Sequence, residues 1–376
     1  MKEVFETIYL LAAVQGILLT IVLLSRKQNH TANKILAVAT FIISIDLLFA
    51  VYYSKSWYMV YPHIMGISYP FPLLYGPLFY LYVKLVSKKT ARFRRIDLLH
   101  FLPVVIVYVL CIPVFFYSGE QKIEFVNNMI RGIHPPMFTV FENIVPFQGM
   151  LYTFYTIKLV RDYDKKIKDE FSNIDFINLN WLKYIALVGL FIWTIVALLS
   201  FMRPLTARFD ILIQISLSIL IYSIGYKGMK QPEIFLNSSS EASDPVQSEK
   251  YKRSGLSDEL ADEIGKKLKD FMASEKPYLD NDLTMQKLAD RMNVSNHNLS
   301  EVINSKLNLS YYEFINNYRV EEFKNRIADP ESERYNLISI AFDSGFQSKG
   351  TFNSIFKKFT GMTPSEYKGK INSPAR

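Results

Sequence analysis

Apolar residues follow two different patterns along this chain. Up to Lys230 they come in long blocks, and one of these, "IYLLAAVQGILLTIVLL" at Ile8–Leu24, holds no charge at all. After Lys230 they recur singly at helical spacing among charged residues. A bilayer-spanning helix needs about 20 apolar residues. Seven blocks reach that length, near 7–24, 35–53, 64–86, 98–117, 137–160, 181–202 and 209–226. A core helix of a soluble protein keeps a polar face, and these mostly lack one. The pattern therefore predicts an all-α protein that opens with a bundle of about seven transmembrane helices. The first block does not read as a cleaved signal peptide, because "MKEVFE" before it is acidic on balance and no cleavage site follows it.

The stretch "KQPEIFLNSSSEASDPVQSEKYKRSG", Lys230–Gly255, is Ser-rich and without periodicity. It reads as a flexible tether with a reach of about 25–30 Å. The expected division is thus residues 1–229 in the membrane, 230–256 as linker and 257–376 as a soluble helical domain. Its first helix, 257–273, carries Leu260, Ile264, Leu268 and Phe271 on one side. That face meets either its own domain or a second copy in a homodimer, and the first is the ordinary case. In "LTMQKLADRMNVSNHNLSEVIN", Leu283–Asn304, Thr284 caps a helix with Leu288 and Met292 inward. Ala289 permits a close helix crossing, Asn293 tolerates a left-handed turn, and Ser295 caps a second helix. That is the order of a helix-turn-helix unit. The order returns in "LISIAFDSGFQSKGTFNSIFKKF", Leu337–Phe359, with Ala341, Gly345 and Ser348 in the equivalent roles. A long helix, 310–328, joins the two units.

Charge follows the same division. Residues 1–230 hold 23 Lys/Arg and 13 Asp/Glu, and the remainder holds 20 and 22. The basic excess thus belongs to the apolar half, where it reports membrane orientation. With seven spans and the C-terminus inside, 17 basic residues fall on the cytoplasmic side and 6 outside, as the positive-inside rule requires. Cys111 is the single cysteine, so neither an internal disulfide nor a cysteine-built zinc site is available.

Ionisable groups inside a span are costly and mark functional candidates. Asp46 and Glu142 are the clear cases, with Gln15 and Gln214 at a similar depth, about 10 Å below the outer surface. These four polar residues either line an outward-opening signal pocket or hold the helices together by hydrogen bonds. Pro146 and Gly149 would kink the fifth span beside Glu142. Other membrane chemistries find no footing. No lysine lies within the last span, no histidines pair inside the membrane, and neither HExxH nor GxSxG occurs. No cofactor and no metal site is expected.

The second half resembles the AraC/XylS family of transcription regulators over Leu260–Lys368. The resemblance rests on the paired units, on "YRVEEFK" at Tyr318–Lys324, on "IAFDSGFQS" at Ile340–Ser348 and on "FKKFTGMTPSEY" at Phe356–Tyr367. It implies binding of double-stranded DNA by two recognition helices per chain. By position, the first would present Asn296, His297, Asn298, Ser300 and Glu301. The second would present Lys349, Thr351, Asn353 and Ser354, with Lys357 and Lys358 at its end near phosphate. Ser354 stands where many members have arginine, Gly350 where serine is frequent, and Glu301 where a basic or polar residue is frequent. The membrane half is similar, without a sharp motif, to multi-span sensor regions fused to such domains in some bacteria.

The expectation is a non-enzymatic transcription regulator in the bacterial cytoplasmic membrane, its C-terminal domain in the cytoplasm. Its partners would be DNA, the lipid bilayer and an unidentified signal. The alternative is a transporter or membrane enzyme with a regulatory DNA-binding tail. Solute uptake by vesicles separates the two.

Overall fold

The computed structural model describes residues 2–25, 30–87, 92–133, 135–175, 177–201, 210–230 and 256–372. The expected linker, 230–256, lies almost wholly outside them. Among the described residues the fold is all-α, and extended pairing is limited to an isolated bridge between Phe171 and Thr284. The chain divides into two units, Met1–Tyr163 with Leu179–Ala242, and Asp164–Asn178 with Ser243–Arg376. The grouping of Asp164–Asn178 with the C-terminal unit has no sign in the linear sequence.

The first unit contains α1 (Lys2–Ser25), α2 (His30–Ser54), α3 (Pro72–Ser87), α4 (Leu102–Phe115), α5 (Gly119–Ile130), most of α6 (Pro136–Glu170), α7 (Asn180–Phe201) and α8 (Asp210–Lys230). Small residues set its closest packing. A Cβ added at Gly16 of α1 would lie 2.1 Å from Ser44 Oγ of α2. One turn on, Thr20 and Thr40 hydroxyls bond at 2.9 Å. Backbones at such distances are the packing device of helices in lipid, where no hydrophobic force drives association. The outer surface is apolar too, with Leu11, Leu18 and Phe191 exposed.

Four segments among the described residues are long and apolar enough to span a membrane: Lys2–Ser25, Thr31–Ser54, Arg95–Phe115 and Asn180–Leu198. The other three expected blocks fall short of that standard. The third begins in short turns, and α3 has 16 residues, about 24 Å against the roughly 30 Å of bilayer hydrocarbon. Helix α6 is 35 residues long but polar in parts, and the apolar stretch described within α8 is Ile213–Gly225. Helix α6 continues through Pro146. Gly149 serves packing, since a Cβ there would lie 2.3 Å from the Trp193 ring of α7.

The C-terminal unit contains α9 (Asp258–Glu275), α10 (Met285–Met292), α11 (Asn296–Glu301, extended by a π turn through Lys306), α12 (Tyr311–Ala328), α13 (Leu337–Asp343), α14 (Lys349–Thr360) and α15 (Pro364–Asn372). It has two cores. Helices α9, α10 and α11 close on Tyr311, Phe314 and Ile315 of α12. Helices α13 and α14 close on Val320, Phe323 and Ile327 of the same helix. The face α9 buries is Ala261, Ile264, Leu268 and Met272. Leu260 is exposed and Phe271 only partly buried, so the stripe is rotated from the expected one. The four-residue pairs 260/264 and 264/268 fit two adjacent stripes, and the first core selects between them.

Candidate nucleic-acid interface

Each helix-turn-helix unit is built from local hydrogen bonds. In the first, Thr284 Oγ1 accepts from Lys287 N–H at 3.2 Å and starts α10. Asn293 ends it in the left-handed region at φ 53°. Val294 N–H then reaches back to the Ala289 carbonyl at 3.0 Å, and Ser295 Oγ accepts from Asn298 N–H at 3.1 Å to start α11. The second unit repeats this. Asn336 caps α13, Gly345 turns at φ 91°, Phe346 N–H bonds to the Ala341 carbonyl at 3.1 Å, and Ser348 caps α14. Both crossing alanines, Ala289 and Ala341, are fully buried. The five-residue return bond, 289 to 294 and 341 to 346, is common to both turns, and the second turn is one residue longer before its cap, Ser348 against Ser295.

Comparison with known proteins agrees with this duplication. Residues 288–370 match a helix-turn-helix domain family, a match that takes in most of the first unit and all of the second. This is an AraC-type helix-turn-helix domain. Uncharacterized HTH-type transcriptional regulators from Staphylococcus aureus strains COL, MSSA476 and N315 are each 30% identical to the chain over 88 residues. The match takes in 23% of this chain and 11% of each relative, so the likeness concerns the DNA-binding part alone. No solved structure matches the chain.

Within the AraC-type domain the expected contact residues differ in availability. Lys349, Asn353, Ser354 and Lys357 are exposed on α14. Lys358 is exposed as well, but its ammonium lies 2.6 Å from Glu313 Oε1 on α12. That ammonium, helped by the Ser310 N–H and hydroxyl and opposed by burial, holds the Glu313 carboxyl down to about 2. Lys358 therefore ties α14 to the N-terminus of α12, and Lys357 is the freer cation for phosphate. Thr351 is half-buried and donates to Asp175 Oδ1. On α11, Asn296 Nδ2 donates to Gln286 Oε1 at 2.8 Å, which turns it toward α10. His297 and Glu301 face each other one turn apart at 3.8 Å. Ser300 Oγ accepts from Asn304 at 3.2 Å, and Asn298 is half-buried.

Three further residues matter here whose roles the linear sequence does not show. Arg319, within the "YRVEEFK" stretch, is 1% exposed. Its Nε donates to the Tyr278 carbonyl at 2.8 Å, and its Nη2 donates to the Asp280 carbonyl at 2.8 Å and to Ser172 Oγ at 3.1 Å. Burial pushes its guanidinium down to about 10, so it stays charged at neutral pH. Gln347 and Asp175 both touch the approach to α14.

In the first unit, Asp46 of α2 and Gln214 of α8 line a cavity of about 1570 Å³. Tyr75 of α3 donates to Asp46 Oδ2 at 2.5 Å. Gln15 is not at this wall among the described residues; its side chain lies against Gly225, 2.9 Å from where a Cβ would sit. Glu142 is in α6, and its side chain lies outside the described residues. Of the four polar residues expected together, the structure brings together Asp46 and Gln214. Tyr75 and Ser68, which complete the surroundings of Asp46, were not among those expected.

Proposed function

We propose that the chain is a membrane-anchored, sequence-specific transcription regulator of the bacterial cytoplasmic membrane, and that a signal received by its first 230 residues sets the DNA occupancy of its AraC-type domain. The observation that carries this reading is the joining of that domain, in one chain, to four helices long and apolar enough to span a membrane. Anchoring and DNA regulation act directly on each other only where chromosome and membrane share a compartment. The signal must bind two states of the bundle with different affinity. The cavity holding Asp46 and Gln214 is our candidate for its site. Asp46 and Gln214 are the polar residues to test there.

Full-length protein in lipid nanodiscs is expected to bind duplex DNA with an affinity that falls steeply with salt, because phosphate neutralisation releases counterions. Lys357→Ala should lower the log–log salt slope by about 1 without changing sequence preference. Asn353→Ala should change the preferred sequence, at about 1–3 kcal/mol for a bidentate base contact. Titrations over a salt series against selected sequences measure both. An unchanged slope for Lys357→Ala would remove α14 from the interface.

For the signal site, Asp46→Asn keeps the shape and an oxygen that can accept from Tyr75, but removes the charge. The variant is expected to reach normal abundance in the membrane while the transcripts it controls become fixed in one state. Those transcripts are identified by mapping the intact protein on the chromosome. Normal abundance with a normal response would assign Asp46 to packing; loss of the protein would assign it to folding.

A further inference from the structure

The first part of the segment between α6 and α7, Phe171–Asp175, is bound to the rest of the C-terminal unit at two places. Its first residues are seated on the first helix-turn-helix unit. Phe171 pairs antiparallel with Thr284. Ser172 N–H and Oγ both donate to the Leu283 carbonyl, at 3.3 and 2.6 Å. The Ser172 carbonyl accepts from Asn316 Nδ2 at 3.0 Å and from Arg319 Nη1 at 3.2 Å. All these polar groups are buried and partnered, so water cannot substitute for them cheaply.

The other end reaches the second recognition helix. Asn173 Nδ2 donates to Gln347 Oε1, just before α14, and Asp175 Oδ1 accepts from Thr351 Oγ1 in its first turn. A carboxylate is favoured at a helix N-terminus by the helix dipole and the free N–H groups. The N-terminal residues of a recognition helix are also the ones that enter the major groove. Asp175 and a DNA strand would thus occupy one place, and like charge separates the carboxylate from phosphate. The tip is held less firmly than the root, since Asp175 Oδ2 is buried without a hydrogen-bond partner among the described residues.

We infer that Phe171–Asp175 is a strap that covers the start of the second recognition helix, and that DNA binding requires its tip to leave. This rests on the DNA-regulator reading and gives it a mechanism. The strap directly continues α6, a single helix from Pro136 to Glu170. Movement in the membrane-side part of α6 therefore reaches the recognition helix without passing through residues 231–255.

The test locks the strap reversibly. Full-length protein carrying Cys111→Ser, Asn173→Cys and Gln347→Cys is bridged in nanodiscs by a short bis-methanethiosulfonate and assayed before and after reduction. The probe is a mixed-sequence duplex pool of about 30 base pairs, three helical turns. The bridged form is expected to bind at least about tenfold more weakly than the reduced form, because a strap held closed leaves almost no binding-competent fraction. Without any bridge, Asn173→Ala combined with Asp175→Ala should bind the same pool more tightly than the wild type. Equal binding by bridged and reduced protein overturns the strap and leaves the DNA-binding reading standing. Absence of binding by every form, the double alanine variant included, overturns both.

Discussion

Gly345→Ala is expected to destabilise the second helix-turn-helix unit by at least about 3 kcal/mol, among the larger effects a single methyl can have. Two costs combine. The left-handed backbone, φ 91°, costs a residue with a Cβ about 1–2 kcal/mol. The new Cβ would also lie 2.3 Å from the Tyr278 carbonyl oxygen and 3.0 Å from Arg319 Nε. That carbonyl is backbone and is fixed by its bond from Arg319, so it cannot step aside. Two other glycines of the same region separate the contributions. Gly361→Ala shares the left-handed backbone, φ 75°, but its Cβ meets nothing within 4 Å. It should cost only the backbone part, about 1 kcal/mol. Gly350, in the first turn of α14, has helical backbone and open space, and alanine there should stabilise by up to about 1 kcal/mol. Denaturant unfolding of the full-length protein, with hydrogen exchange read on α13 and α14, gives the order. Equal costs at Gly345 and Gly361 would show that the close approach to Tyr278 is not rigid.

Arg319→Met is expected to cost about 2–4 kcal/mol and to release the Phe171–Asp175 segment at its root. Methionine keeps the apolar stem and removes every donor. The carbonyls of Tyr278 and Asp280 then lose the guanidinium that holds them, and the Ser172 carbonyl keeps only its bond from Asn316. Each buried acceptor left without a donor costs about 1–3 kcal/mol. Part of that is offset, because a buried guanidinium no longer has to be stripped of water. Arg319→Lys should restore little, since one ammonium cannot reach the separate carbonyls that the planar fork spans. Hydrogen exchange should report lost protection at residues 171–175 and 277–284 in both variants. Full rescue by lysine would mean that charge, rather than fork geometry, holds these segments.

The helix-turn-helix units are legible in the linear sequence because their determinants are local. A Thr or Ser cap acts three residues away, and Asn293 or Gly345 turns the chain where it stands. The helices of the first unit are legible as apolar blocks, but the number long and apolar enough to span a membrane is not. Residues in such blocks are apolar whether they face lipid or other helices, and the period that would locate a helix face is absent. The expected site is legible in part. Of the expected contact residues, Lys349, Asn353, Ser354 and Lys357 are exposed on α14. The engagement of Lys358 with Glu313, 45 positions away, cannot be read from a chain in which both look like solvated charges.

By itself, then, the sequence determined what depends on neighbours along the chain: all-helical local structure, the duplicated turn with its small crossing residue, and the change from long apolar blocks to singly spaced apolar residues. Tertiary structure decided what depends on residues far apart. Ser172 and Arg319 are separated by 147 positions, and nothing near either one indicates that a serine from the segment after α6 will satisfy a buried guanidinium. Asp46 and Tyr75 meet across 29 positions, while Gln15, at a matching depth in its own helix, is turned toward Gly225. Depth along a helix follows from counting residues. The direction a polar side chain faces is set by which helices pack against it, and that is a property of the assembled bundle.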